Sequence, residues 1–317
     1  MRVIIKRSFQ SITRSIRHYS TFEVGDFCML RKVRSDKKMF IGPLEHEGKR
    51  DVQRGIITHD AIIGKKPRTV IKTHNDAAAY MVHFPTLEDY VLNVPRECTP
   101  IYPKDASAIV QMLDLEPGHR VLEAGTGNGS LTLYLAKAIA GGEGGQVDTF
   151  DIRESHSNLA RKNVNRYSRG KYSSMVRFHL GSVGEELRSK NKEEEIYDGM
   201  VLDMPEPHEE IPRILPFLKN DRFLVCYLPN MTQVLKLAET ILDLPFMMES
   251  CIEAEWKEWE VRATQIRNKI KQDQEEKEDE KPVAPMNAAW ICRPKNFDVK
   301  GHTAFLVKLR KSVTVIT

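Results

Sequence analysis

Two hydrophobic periods alternate along the chain. From about Ser107 onward, short apolar runs followed by helical spacing recur in turn. The pattern predicts strands over 120–125, 146–152, 197–204 and 223–229, and helices over 130–140, 155–167 and 231–242. "HTAFLVKLRK" closes the series as a further strand. Strands alternating with helices imply an α/β fold with a mostly parallel sheet and helices on both faces. Residues 22–95 follow another rhythm. "FCMLRKV", "GIITHDAII", "TVIKT" and "AAYMVHF" are β-like runs separated by Gly, Asp and Pro, and predict a small N-terminal β domain. "TLEDYVLNV" then gives a helical turn or two, and residues 96–317 form the larger domain.

Two segments break these patterns. In residues 1–21, Ile5, Phe9, Ile12, Ile16 and Tyr19 share one helical face, with five basic residues and no acid. An acid-free, Arg- and Ser-rich amphipathic stretch has the make-up of a mitochondrial targeting segment; a basic RNA-binding arm has similar composition. Residues 263–286 are hydrophilic and include "DQEEKEDE", with six acids and one lysine. They predict a solvent-exposed, partly disordered loop. The net charge of +4 is therefore uneven, and the body between leader and acidic loop is mildly basic, which permits a polyanionic partner. No apolar run approaches the roughly 18 residues of a membrane span. Five cysteines, none in C-x-x-C, predict reduced thiols and no zinc site.

The chemistry concentrates at three strand ends. "EAGTGNGSL" follows the first strand of the large domain and carries Gly125, Gly127 and Gly129. Such spacing lets backbone approach a ligand closely. A dinucleotide site would use G-x-G-x-x-G facing a pyrophosphate. Here the third glycine comes one residue early and Glu123 precedes the turn, where a carboxylate would repel pyrophosphate. It suits a ligand with an ammonium group, such as S-adenosylmethionine. Asp151, at the tip of the next strand, can accept from ribose hydroxyls, a device NAD enzymes share. Asp203 ends the strand "MVLD", ahead of the stiff "MPEP" loop, where open α/β sheets place their sites; its plainer role would be to cap a turn.

Taken in order, "FPTLEDYV", "IYPKD", "VLEAGTGNGSLTL", "LDMPEP", "LPNMTQV" and "GHTAFLVKLRK" resemble the tRNA adenine-N1 methyltransferases that act on T-loop adenine 58. The match runs from about residue 56 to 311. "LDMPEPH" and "GHTAFLVKLRK" look closer to the mitochondrial branch. The resemblance implies a Rossmann-like S-adenosylmethionine-dependent methyltransferase domain behind a small N-terminal β domain, usually in a homo-oligomer, as a tetramer. It assigns Asp203 to catalysis. It assigns Glu123, the turn residues Gly125, Thr126, Gly127, Asn128, Gly129 and Ser130, and Asp151 and Ser182 to the cofactor. Tyr102, Pro205, His208 and His302 fall to the RNA, and no metal is implied. Three positions depart from the family pattern. Thr99 stands where Gln is usual, Ser182 where an Asp is common near the cofactor's adenine amine, and His208 where the wider family has Trp. Two other readings remain. A catalytically inactive RNA-binding or mitoribosome-associated subunit would tend to lose the glycine turn and Asp203. An isoaspartyl-type protein methyltransferase would lack the N-terminal β domain and "LDMPEP".

Overall fold

The computed structural model describes residues 21–33, 35, 37–190, 195–265, 288–295 and 301–312. The leader up to residue 20 and the acidic run 273–280 lie outside them.

Six short strands open the chain: β1 (Cys28–Lys32), β2 (Lys38–Ile41), β3 (Lys49–Val52), β4 (Gly55–Thr58), β5 (Val70–Lys72) and β6 (Ala79–His83). Four form an antiparallel sheet in the order β2-β1-β6-β5, and β3 pairs with β4 as a hairpin. Alternation sends one side chain in two inward: Tyr80 and Val82 of β6 meet Cys28 and Leu30 of β1 in a core completed by Phe22, Ile57 and Ile62. The run "GIITHDAII" is not one strand. It stops at Thr58 and turns over His59–Ala61, because the His59 N–H bonds the Gly48 carbonyl and its Nδ1 accepts from Glu45 N–H. β2 and β3 went unread in the sequence, since "KMFI" and "KRDV" alternate too weakly to be seen without their partners.

Helix α1 (Leu87–Asn93) begins at a capping box between Thr86 and Asp89. Its Leu87, Tyr90 and Val91 pack in the same core as Ile109 of α2 (Pro103–Met112) and Leu133. The rest alternates: β7 (Arg120–Ala124), α3 (Ser130–Ala138), β8 (Gln146–Asp151), α4 (Glu154–Arg166), β9 (Val176–Leu180), α5 (Val183–Lys190), β10 (Tyr197–Leu202), α6 (Pro207–Ile214), β11 (Leu218–Leu228), α7 (Met231–Ile241), β12 (Phe246–Ile252), β13 (Trp259–Gln265), β14 (Ala288–Pro294) and β15 (Phe305–Lys311). The large sheet has the order β12-β15-β11-β10-β7-β8-β9. Six of the seven strands run in the same sense, and β15 runs antiparallel between β11 and β12. α2, α3 and α4 cover one face and α5, α6 and α7 the other, each over its own apolar core.

β11 begins at Leu218, five residues before the sequence pattern suggests. Its polar first turn is held by partners far away in sequence, with Lys219 on Asp198 and Arg222 on the carbonyls of Asp198 and Leu113. The expected loop over 263–286 needs a correction at its start. Ala263–Gln265 belongs to β13, which pairs with β14 in a separate two-stranded ribbon. A charged ribbon strand is selected by cross-strand pairing, which local composition does not report.

The chain leaves β7 toward β8 and β9 on one side, then returns to β10 and β11 on the other. The carboxyl ends of β7 and β10 therefore part at a topological switch point, the place where open α/β sheets hold ligands.

Candidate active site

Glu123, Asp151 and Asp203 stand at or beside the carboxyl ends of β7, β8 and β10. The turn after β7 is forced close to β10. Gly125 has φ of 100°, and a Cβ there would sit 2.0 Å from the Asp203 carbonyl oxygen. The Asp203 N–H in turn bonds the Ala124 carbonyl at 2.8 Å. This close approach explains the first glycine and brings the catalytic candidate against the turn. Gly129, with φ of 80°, is the N-cap of α3 and lies against Ala160. It serves the turn's shape and does not line the cavity.

The cavity has two lobes that share Gly125, Arg153, Asp203, Met204 and Pro205. The first, of about 380 Å³, is lined by Glu123, Thr126, Gly127, Asn128, Ser130, Cys98, Thr99, Pro229 and Gln233. The second, of about 350 Å³, has apolar walls from Phe150, Ile152, Val183 and Met204, with Asp151, Ser182 and Glu210 among its polar groups.

Polar groups in the first lobe are oriented yet incompletely paired. Glu123 is buried; its Oε2 accepts from the Thr132 hydroxyl at 2.6 Å, while Oε1 has no partner among the described residues. Burial pushes its carboxyl up to about 8, against the opposing Thr132 bond, and the charges of Asp203 and Asp151 add to the rise. Asn128 Oδ1 accepts from Ser130 Oγ at 2.9 Å, which leaves the buried Nδ2 without a partner among the described residues. A neighbouring unpaired acceptor and donor match an amino-acid end, ammonium to Glu123 and carboxylate to Asn128. Thr126 Oγ1 lies 2.6 Å from Thr149 Oγ1 and ties the turn to β8.

Asp151 accepts from the Gly127 N–H at 3.1 Å and from the Arg153 N–H at 2.9 Å, so its carboxylate is fixed between the lobes. Asp203 is half-buried. Desolvation pushes its carboxyl up to about 7; Arg153 opposes the shift and Asp151 adds to it. In the second lobe, Ser182 Oγ donates to Glu210 Oε1 at 3.3 Å. Glu210 also accepts from the Gly184 N–H and from Arg213. The lobe thus has a carboxylate where residue 182 itself supplies a hydroxyl. Sequence reasoning missed Glu210, Arg153, Cys98 and Gln233. Glu210 reaches the lobe from the first turn of α6, 28 residues beyond Ser182, and no local motif marks it.

The RNA candidates separate. Pro205 lines both lobes. Tyr102 and His302 line another cavity of about 370 Å³ together with Lys104, Leu92 and Trp256. It adjoins the first lobe through His302, whose Nε2 lies 2.8 Å from the carbonyl oxygen of Pro229. His302 Nδ1 faces the Glu253 carboxylate. These two contacts favour the protonated ring and raise its pKa, that to Glu253 the more. His208 lies outside both lobes, on α6 beside the exposed Glu206 and Glu209. Among the described residues no helix is long and apolar enough to cross a membrane.

Residues 78–309 match the family described as "tRNA methyltransferase complex GCD14 subunit". The chain is 43% identical over 258 residues to tRNA (adenine(58)-N(1))-methyltransferase TrmI of Thermus thermophilus, covering 81% of this chain and 87% of that protein. It is 31% identical over 195 residues to the tRNA (adenine(57)-N(1)/adenine(58)-N(1))-methyltransferase of Methanocaldococcus jannaschii, covering 56% of this chain and 68% of that one. Among solved structures, TrmI of Aquifex aeolicus superposes with a TM-score of 0.69 at 27% identity, over 93% of this chain and all of the other. A SAM-dependent O-methyltransferase of Thermotoga maritima, at 24% identity and a TM-score of 0.73 over 94% of this chain and 97% of the other, shares the fold.

Proposed function

Since the chain belongs to the tRNA methyltransferase complex GCD14 subunit family, we propose that it methylates N1 of adenine 58 in the T loop of tRNA, with S-adenosylmethionine as methyl donor. One observation carries the reading. Glu123 Oε1 and Asn128 Nδ2, buried and unpaired among the described residues, line the same lobe as Asp203. Glu123 would take the cofactor's ammonium, Asn128 its carboxylate, and Asp151 its ribose. The apolar walls of the second lobe would hold the cofactor's adenine, with Ser182 and Glu210 at their polar end. Bound there, the cofactor supplies an electrophilic sulfonium methyl group.

The residues then have two tasks. The first is position: adenine N1 carries a usable lone pair and needs alignment in a dry pocket more than it needs a base. The walls formed by Pro205 and Pro229 offer that alignment to a base flipped out of its stack. The second is charge. Methylation at N1 leaves the ring cationic, and the Asp203 carboxylate stabilises that charge as it develops. Tyr102 and Trp256, with His302, form a surface for neighbouring nucleotides.

The basic, acid-free leader supports import into the mitochondrial matrix, which makes mitochondrial tRNA the substrate pool. A homo-oligomer, with a tetramer as the proposed form, is supported by the β13–β14 ribbon. Trp259, Val261 and Trp290 lie exposed on it, and its register sets them on one face. The decisive assay is methyl transfer from S-adenosylmethionine to a T-loop transcript, read as 1-methyladenosine by nucleoside mass spectrometry. The reading expects product with an adenosine at position 58 and none with a guanosine there. No 1-methyladenosine from the folded, cofactor-bound protein would refute it. A reporter carrying residues 1–30 checks import separately, and cytosolic signal would reject the matrix assignment.

A further inference from the structure

We infer that Gln233 reads the exocyclic amine of the target adenine, a role that rests on the function proposed above. Gln233 sits in the first turn of α7. Its backbone N–H is fixed by the Asn230 side chain at 3.0 Å, so the residue is anchored at the helix cap. Its side-chain Nε2 donates to the Pro205 carbonyl at 2.8 Å. A carbonyl has no proton to give, so the amide nitrogen must face Pro205 and the oxygen must face away. That oxygen, Oε1, is buried and has no hydrogen-bond partner among the described residues.

Gln233 lines the first lobe along with Asp203, Pro205 and Pro229. An unpaired buried acceptor is costly, and the cost is relieved when a ligand brings a donor. The cofactor's ammonium is the better match for the equally unpaired Glu123 carboxyl, whose ionised form that positive charge favours. The cofactor's ribose hydroxyls and adenine amine fall to Asp151 and to the second lobe, which does not include Gln233. The donor left for Gln233 is the N6 amine of the target adenine, next to the nitrogen that reacts. Accepting an N6 proton would hold N1 in place. It would also reject guanine, which presents a carbonyl at C6 and a proton on N1, leaving Gln233 Oε1 facing another acceptor.

Gln233 also supports the Pro205 loop, so its replacement could slow the reaction for structural reasons alone. A mutant–substrate cycle separates the two roles. The full chain and its Gln233→Ala and Gln233→Met variants would be assayed on two T-loop transcripts. One carries adenosine at the target position and the other purine riboside, which keeps N1 but lacks the amine. The wild type should prefer adenosine in kcat/KM. Each variant should lose on the order of ten- to a hundredfold on the adenosine transcript. On the purine riboside transcript each should lose about tenfold less than on adenosine, because there the contact is already missing and only the loop support is lost. Equal losses on both transcripts would reduce Gln233 to a support for the Pro205 loop and overturn the inference. A wild type that does not distinguish the two transcripts would overturn it as well. Failure of the wild type to methylate the adenosine transcript would instead remove the proposed function, and this inference with it.

Discussion

The two neighbouring cavities treat their polar groups in opposite ways. In the lobe beside Asp203, Glu123 Oε1, Asn128 Nδ2 and Gln233 Oε1 are buried and unpaired among the described residues. In the cavity beside His302, Lys104 Nζ spends three hydrogen bonds on Asp105, the Ala254 carbonyl and Thr303, and His302 spends both nitrogens. Asp105 Oδ2 is unpaired too, but Asp105 lies behind Lys104 and does not line that cavity. The difference distinguishes two kinds of recognition. Groups left unpaired at a cost are completed by a specific ligand, so the first lobe selects chemistry. Groups already satisfied leave Tyr102, Leu92 and Trp256 to offer apolar contact, so the second cavity selects shape and stacking.

The comparison is most exposed at Asp203. Asp203→Asn keeps the shape and removes the charge. Turnover should fall by about a hundredfold or more, on the order of 3 kcal/mol, with cofactor binding preserved. Single-turnover methyl transfer measures it, and near-normal turnover would take the carboxylate out of the chemistry. Glu123→Ala comes next. Losing a charge-assisted bond to the ammonium should weaken S-adenosylmethionine binding roughly ten- to a hundredfold by calorimetry. Tyr102→Ala and Trp256→Ala should act on the other side of the divide. Each should weaken transcript binding by about five- to tenfold, near the low end of a base–aromatic stack, and leave cofactor affinity unchanged. Loss of cofactor affinity in either would collapse the distinction between the cavities.

The smallest effect is on stability. The carboxyls of Glu123 and Asp203 rise to about 8 and about 7 in the folded chain, above their unfolded values. The folded state therefore holds protons that the unfolded chain has released. Their contribution is full below about pH 4 and is lost as pH rises toward 8. Without cofactor, Tm should fall by a few degrees from pH 5.5 to 8.5 through this effect. Glu123→Gln should flatten the slope, and scanning calorimetry of both proteins across that range checks it.

Much of this site was legible in sequence because its parts are local. The early third glycine, the acid before the turn and the acids at three strand ends each follow from a strand–turn–helix written in consecutive residues. The doubly wound fold was legible for the same reason, since hydrophobic period reports which face of each element is buried. Positions where pairing overrides period were not legible: β2, β3, the early start of β11 and the β13 strand at the head of the expected loop. Glu210 also lay beyond reading. It completes the polar end of a lobe from another element, and only the packing of α6 beside the end of β9 brings it to Ser182.

Sequence alone thus determined which residues could hold a positively charged ligand and stabilise a developing cation. Tertiary structure decided which of them share a cavity. It set Asp203 against the glycine turn through the 2.8 Å bond to Ala124. It moved Tyr102 and His302 into a neighbouring cavity and left His208 outside both lobes. It also turned the Gln233 amide, because the Pro205 carbonyl that fixes it lies 28 residues away. Side-chain type and local spacing are properties of the chain, whereas an unpaired buried atom exists only once distant segments have closed around it.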